Sequence, residues 1–434
     1  MTNRREDCFA VGGAMLPVAQ ALALLDQRVT PVEGVELVPL RLARGRVLAA
    51  DLLSRQARPG ADNAAVDGYA LAFADLAPSG PTRLDLCGRA AAGRALEGAW
   101  RPRGAIRVFT GATLPGACDT VAMQEDVTIE GESVIIPAGL RRGANRRRAG
   151  EDFAAGARLL SAGRCLQPQD IALAAAAGEA SLTIRRKLRI ALFSTGDELR
   201  EPNTGREPDG TSGGVFDANR YLLGALLDGP GVSLHDLGIL PDRAEAVRQA
   251  LAAAAAGHDL LLTSGGVSAG EEDHVRAAVA ELGHLHFWRL AMKPGRPLVL
   301  GQIGEAVFLG LPGNPVAAMV CFLLFCRPLL RRLMGAPAGA ARRYPVVADF
   351  TFTKKAGRQE WLRGRLERRD GRLYVTPFPR QGSGIISSLV ESDGLIELAD
   401  EVTAVAPGAI VPFLPFDDAG DGDGDGAQAA EGDR

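Results

Sequence analysis

No two of the six cysteines, Cys8, Cys87, Cys118, Cys165, Cys321 and Cys326, stand in Cys-x-x-Cys spacing. A chain of 434 residues needs no covalent staples, so scattered core thiols in a reducing cytoplasm are expected. The opening residues Met1–Asp7 lack an apolar stretch, and no secretory signal is expected. The longest apolar run, Val316 to Leu330, is too short to span a bilayer and is interrupted by Arg327 and Pro328. It predicts a buried helix and no membrane partner. A net charge of −3 gives no electrostatic case for nucleic acid. That total conceals a split: Asp417 to Arg434 hold seven acids and one Arg, which leaves the body near +3. A mildly basic body suits an anionic small molecule.

The length points to two to four domains, and the 47% hydrophobic content is that of a globular protein. Residues 14–50 read as helical, with Val18, Leu22, Leu25 and Val29 on one face. From about 52 to 150 the texture turns to short β-type runs such as Ile106–Phe109 and Ser133–Ile136. Residues 153–180 return to Ala-rich helix and are expected to rejoin the first helices. Between 187 and 332 strand and helix alternate. Strands are expected at Leu188–Phe193, Val232–Leu240 and Asp259–Thr263, with Asp217 and Asp242 as helix N-caps and a further helix from Asp273 to Leu282. This alternation predicts a parallel sheet covered on both faces, with ligands at the loops after the strand C-termini. Residues 340–415 are β-rich again, with strands expected at Tyr344–Phe352, Trp361–Glu367 and Leu373–Pro377. The tail 417–434 holds Asp421-x-Asp423-x-Asp425-Gly426, the opening of a calcium loop. Gly432 stands where that loop needs a bidentate Glu, so a solvated tail is preferred.

Four loops carry chemistry. Thr263 to Asp273 holds Ser264, Gly265, Gly266, Ser268 and Gly270, whose backbone can approach an anion while the next helix adds a partial positive charge. Its bland alternative is a tight strand–helix connection capped by Asp273. Ser194-Thr195-Gly196-Asp197-Glu198-Leu199 puts acids at a strand end, where they can hold Mg²⁺ against a phosphate. Asp242 is open to the same use or to simple capping. Lys293-Pro294-Gly295-Arg296-Pro297, preceded by Arg289, fixes cations on a rim suited to an oxyanion or diphosphate. Leu311-Pro312-Gly313-Asn314-Pro315 leads into the apolar helix. Outside this region, Asp67 lies in Val66–Ala70 and Asp152 closes a run with five Arg between Arg141 and Arg148.

These segments occur in one order: Val66-Asp67-Gly68-Tyr69-Ala70, Phe109-Thr110-Gly111-Ala112, Gly143-x-Asn145-x-Arg147-x-x-Gly150-Glu151-Asp152, Ser194–Leu199, Ser264–Asp273, Lys293-Pro294-Gly295 and Leu311–Pro315. Arg44–Ala49, Arg363-Gly364 and Gln381-Gly382-Ser383 extend it. The series resembles the signature of the molybdopterin molybdenumtransferases, related to the E domain of gephyrin, over roughly residues 13 to 415. The resemblance implies insertion of molybdate into adenylylated molybdopterin, with Mg²⁺ and release of AMP. It implies a multidomain α/β fold: a split helical dimerisation domain (13–51 and 153–180), a β-rich insertion domain (52–152), a parallel-sheet α/β domain (181–335) and a C-terminal barrel-like β domain (340–415). It further implies a cytoplasmic homodimer, in contact with other enzymes of molybdenum cofactor synthesis.

Carried onto this chain, Asp67, Asp152, Glu198, Asp242, Asp273 and Lys293 would be catalytic, with Glu198 and Asp273 on the metal. Thr110, Ser264, Gly265, Gly266, Ser268, Arg289, Arg296, Pro312, Pro315, Arg363 and Ser383 would bind the substrates. Asp67, Thr110 and Asp152 would face the partner subunit. Arg289 and Arg296 stand where Lys is usual, and Val66 where Met is usual. An insertion near Gly205–Gly214 lengthens the loop after Glu198. Molybdopterin adenylyltransferase and a non-catalytic gephyrin-like scaffold are the alternative functions. The flanking β regions speak against the first, and retention of the acids against the second.

Overall fold

The computed structural model describes residues 15–94, 96–202, 214–266, 274–337 and 341–416. Ser268 and Asp273, most of the 205–214 insertion and the acidic tail lie outside them. Contacts divide the chain into two compact units. One takes in residues up to Ala50, Ala162–Pro168 and Ser181 onward; the other is Asp51–Ser161 with Gln169–Ala180. The fold is multidomain α/β.

In the first unit, helix α1 (Val18–Arg28) is shorter than its 14–50 expectation. Pro31 and Gly34 (φ +113°) end the helical stretch, and β1 (Val35–Pro39) then pairs antiparallel with β2 (Ser181–Arg185). The α/β sheet follows, with β3 (Leu188–Thr195), β4 (Val232–Leu240), β5 (Leu260–Ser264), β6 (His284–Arg289), β7 (Pro297–Ile303) and β8 (Ala306–Leu311) in the order β4-β3-β5-β8-β7-β6. Helices α2 (Ala218–Leu227), α3 (Ala244–Gly257) and α4 (His274–Leu282) connect its strands. One face is packed by Leu223, Leu227 and the helix after β8, the other by Val247, Leu251, Val275 and Val279.

Only four of the six strands form a parallel run. β4, β3, β5 and β8 run together, but β7 is antiparallel to both β8 and β6. The two-residue turn from β7 to β8 leaves no room for a crossover helix, so that pair must form a hairpin. As a result β6 ends and β7 begins on the rim where the parallel strands end. Arg289 pairs with Pro297 there. Asp217 caps α2 as expected, accepting from the Arg220 N–H at 3.1 Å. Asp242 does not cap α3: Arg243 holds that position, with no side-chain cap.

The apolar helix after β8 begins with Pro315 in its first turn and runs to Leu333. It is not broken at Pro328. A π turn over Phe322–Cys326 sits just before it and absorbs the hydrogen bond a proline cannot donate. No helix among the described residues is long and apolar enough to cross a membrane.

The C-terminal strands β9 (Tyr344–Ala348), β10 (Gln359–Arg369), β11 (Arg372–Pro377), β12 (Gly394–Leu398) and β13 (Ile410–Pro415) close into a ring, because β10 pairs with both β11 and β12. The expected strand to Phe352 stops at Ala348; Phe352–Thr353 pairs instead with Ala404–Val405.

The second unit is built on a sheet in which Gly68–Leu71 lies between Thr120–Met123 and Gly104–Val108. Its helix spans only Pro168–Ala176, not the whole of 153–180. Arg158–Leu160 pairs with Leu52–Leu53 as strand, and Gly156 and Gly163 take left-handed φ that helix cannot use.

Candidate active site

The rim of the α/β sheet and the edge of the C-terminal ring enclose a cavity of about 630 Å³ within the first unit. Gly265 and Gly266 line it from the end of β5, Pro312 and Gly313 from the end of β8, and Lys293–Gly295 from the turn between β6 and β7. Glu360, Trp361 and Arg363 face it from β10, with Gln381–Ser383 beside them. The structure thus brings together six sequence-predicted residues: Gly265, Gly266, Lys293, Pro312, Arg363 and Ser383.

Each wall has a local cause. Met292–Lys293 pairs in parallel with Gln359–Glu360, which sets Lys293 beside Glu360 (Nζ to Oε2, 3.2 Å). The Val316 N–H donates to the Ser383 carbonyl (3.1 Å), joining the loop after β8 to the Gln381–Ser383 loop. Gly266 sits at φ +61°, and a Cβ there would lie 2.8 Å from Thr195 Oγ1, so only glycine lets this backbone pass.

Arg363 carries the strongest electrostatic signal. It is 1% exposed, yet no carboxylate pairs with it among the described residues. Nε donates to Ser388 Oγ (3.0 Å), and one Nη donates to the carbonyls of Gly382 (3.0 Å) and Arg380 (3.2 Å). The other Nη has no protein partner there. Burial without a countercharge pulls the guanidinium down to about 10. Lys293 and Arg363 against Glu360 leave the cavity with one net positive charge. An enclosed, unneutralised guanidinium is a site for an anion. Trp361, on the same face of β10 and 1% exposed, has a buried Nε1 with no partner.

Other predicted residues stand elsewhere. Ser264 lies beneath the cavity wall and donates its one hydroxyl hydrogen to the Pro312 carbonyl (2.8 Å), so it is not a donor to a ligand as expected. Pro315, Arg289 and Arg296 are not part of the lining, and both arginines are exposed on the rim. Glu198 is exposed three residues past Thr195, which pairs with Leu240; Asp242 follows Leu240 by two residues and is half-buried. Neither carboxylate has a protein partner among the described residues. Two free acids beyond adjacent strand ends fit a hard divalent cation that also binds phosphate oxygens. No group of three metal-binding side chains occurs among the described residues.

In the second unit, the register Gly68↔Val108 brings Asp67 to Thr110. Asp67 Oδ1 accepts from the Thr110 N–H and hydroxyl, both at 2.8 Å. The backbone hydrogen bond, then the hydroxyl, holds its carboxyl below the usual range. Asp152 is ion-paired to Arg58 at 3.3 Å. The sequence reading missed Glu360, Trp361 and Asn219. Asn219 donates to Ser264 Oγ (2.9 Å) and the Gly313 carbonyl (2.7 Å). Burial pushes the Cys118 thiol up to about 12 and those of Cys321 and Cys326 higher, which makes them poor nucleophiles.

Comparison with known proteins gives matches from residue 16 to residue 416. Residues 16–178 match the model of the MoeA N-terminal region (domain I and II), 191–332 that of a probable molybdopterin binding domain, and 345–416 that of the MoeA C-terminal region (domain IV). The chain is 36% identical to a molybdopterin molybdenumtransferase of Haemophilus influenzae, over 93% of this chain and 99% of that one. It is 33% identical to one from Nostoc, covering 88% and 89%. Among solved structures, the molybdopterin biosynthesis moeA protein of Pyrococcus horikoshii is similar with a TM-score of 0.80 at 28% identity, covering 93% of this chain and 100% of that one.

Proposed function

The chain belongs to the molybdopterin molybdenumtransferase family, and from that premise we propose that it inserts molybdate into adenylylated molybdopterin and releases AMP. The observation that carries this reading is Arg363, a buried cation without a carboxylate in a cavity walled by backbone loops. A tetrahedral oxyanion suits its free Nη, with Ser383 and Lys293 beside it. The Gly265–Gly266 and Pro312–Asn314 loops take the pterin–phosphate end, where backbone approach and neutral donors are needed. Glu360 holds Lys293 in place across the cavity mouth.

Glu198 and Asp242, with Asp273 beyond the described residues, would hold Mg²⁺. When bound, the ion offsets phosphate charge and polarises the phosphoryl group to be cleaved. The chain's own part is to orient the diphosphate against the rim and exclude bulk water from the cavity. Arg289 and Arg296, on the same rim, add positive charge toward an incoming polyanion.

We further propose a cytoplasmic homodimer in which Asp67, Thr110 and Asp152 serve the partner subunit. Val35 and Leu37, 59% and 72% exposed on one face of β1, support a protein partner there. The test is incubation of the purified chain with adenylylated molybdopterin, molybdate and Mg²⁺. AMP release with formation of active cofactor is expected; neither product appearing refutes the reading.

A further inference from the structure

Asn219 lies in the first turn of α2, two residues after the capping Asp217. Its Nδ2 donates to Ser264 Oγ at 2.9 Å and to the Gly313 carbonyl at 2.7 Å. Ser264 Oγ passes the link on to the Pro312 carbonyl at 2.8 Å. One side chain therefore fastens the end of β5 to the loop after β8. The Gly313 contact also fixes which way round the carboxamide sits, because a carbonyl can only accept. Both amide hydrogens are then spent, and Oδ1 is left buried with no partner. An unmet buried acceptor costs stability, so what the side chain contributes here is its two donors.

The turn that carries this arm is itself immobilised. Arg220, 5% exposed, is ion-paired to Asp217 at 3.0 Å, and also to Asp236 on β4 and to Glu201. This network, buried at Arg220 and Asp217, has no part in the proposed chemistry. It ties the first turn of α2 to the edge strand of the sheet. Asp217 already caps the helix, so Asn219 is not needed for that. At the other end, Gly265 and Gly313 approach closely: a Cβ on Gly265 would stand 3.9 Å from the Gly313 Cα. Both belong to soft backbone that lines the cavity, and such backbone needs outside fastening before its N–H groups can be aimed.

We infer that Asn219 is a positioning residue that sets the spacing of the two glycine loops, with Arg220 as its anchor. It acts through these loops and does not touch the ligand. The inference rests on the cavity being the substrate site, and its test separates the two. Amide hydrogen exchange is followed on the full chain without substrate, for wild type, Asn219→Ala and Asn219→Asp. Peptides carrying 264–266 and 312–316 are expected to exchange tenfold faster or more, while the interiors of β3 and β8 keep wild-type rates. The Asp variant keeps the shape but turns an oxygen toward the Gly313 carbonyl, so its effect is expected to be at least as large. In turnover, kcat is expected to fall tenfold or more at temperatures where both variants stay folded. Unchanged exchange in the two loops overturns the inference. So does a uniform rise across the sheet in both variants, or loosened loops with undiminished kcat. If wild type itself inserts no molybdenum, the functional reading fails while the exchange result stands on its own.

Discussion

Replacing Arg363 with Met tests the reading of the cavity where it is most exposed to refutation. Met keeps much of the apolar volume and removes the charge. A charge-assisted hydrogen bond to an oxyanion is worth up to about 3 kcal/mol, so affinity should fall on the order of 100-fold. Stability should behave differently. The buried charge has no countercharge, and its fall to about 10 corresponds to about 3 kcal/mol held against folding. Set against that are three hydrogen bonds, to Ser388, Arg380 and Gly382, at about 1.5 kcal/mol each because the donor is charged. The balance is small, and urea unfolding of the free protein should fall by about 1–2 kcal/mol. An arginine held by a carboxylate would behave otherwise, because breaking a buried ion pair costs about 3–5 kcal/mol. Molybdate titration by calorimetry supplies the affinity. Wild-type binding by the variant would refute the anion site. A stability loss beyond about 3 kcal/mol would make Arg363 a structural residue.

Three other outcomes follow from the same geometry. Trp361→Phe removes a buried N–H without a partner but leaves a core cavity costing about 1–2 kcal/mol, so urea unfolding of the free protein should change by no more than about 1 kcal/mol; a loss beyond about 3 kcal/mol means the N–H is satisfied. Thr110→Val removes one of two hydrogen bonds to Asp67, so the carboxyl pKa should rise, read by carbonyl NMR, and turnover should fall severalfold; an unmoved pKa counts against the pairing. Burial pushes Asp259 up, but hydrogen bonds from Arg186 and Arg189 outweigh it and hold the carboxyl at about 2. The folded pKa is thus below the ordinary 3.8, so this stabilisation is complete above that value and is lost as pH falls through about 2. It amounts to about 2 kcal/mol. Asp259→Asn should therefore flatten the acid limb of the stability curve, and an unchanged limb would contradict the assignment.

The loops of the site were legible because glycine and proline leave local marks. Gly265-Gly266, Lys293-Pro294-Gly295 and Pro312-Gly313 announce special backbone wherever they fall, and alternation of strand and helix put them on one rim. The hairpin of β7 and β8 was not legible. Its strands are short apolar runs, and whether such runs pair parallel or antiparallel depends on the connection between them. Glu360 was hidden for a related reason. In sequence it is one polar residue of a long strand, and only the pairing of Met292–Lys293 with Gln359–Glu360 sets it beside Lys293. Asp242 shows the converse. A good capping residue sat one position too early, and the helix began without using it.

Asn219 was the least visible, since an asparagine in a first helical turn reads as local capping. Its importance appears only with the inventory of unmet groups. Ser194 Oγ, Asn219 Oδ1, Thr263 Oγ1 and Trp361 Nε1 are all buried without partners, and each lies on or next to an element that bounds the cavity. Most buried polar atoms in a folded chain are satisfied, so each of these four marks a point near the cavity where the fold tolerates cost, as it also does at Asn63, Trp100 and Ser392 away from it. Arg363 adds an unneutralised charge at the same place. The opposite end of β5 follows the ordinary rule: Asp259, just before it, accepts from two arginines and a backbone N–H. One strand thus begins in a saturated ion pair and ends beside the unmet hydroxyl of Thr263. The far rim is fastened by charge at Asp259, and the near rim is held in shape, by Asn219 and Arg220, for a ligand that supplies what Arg363 and Trp361 leave unpaired.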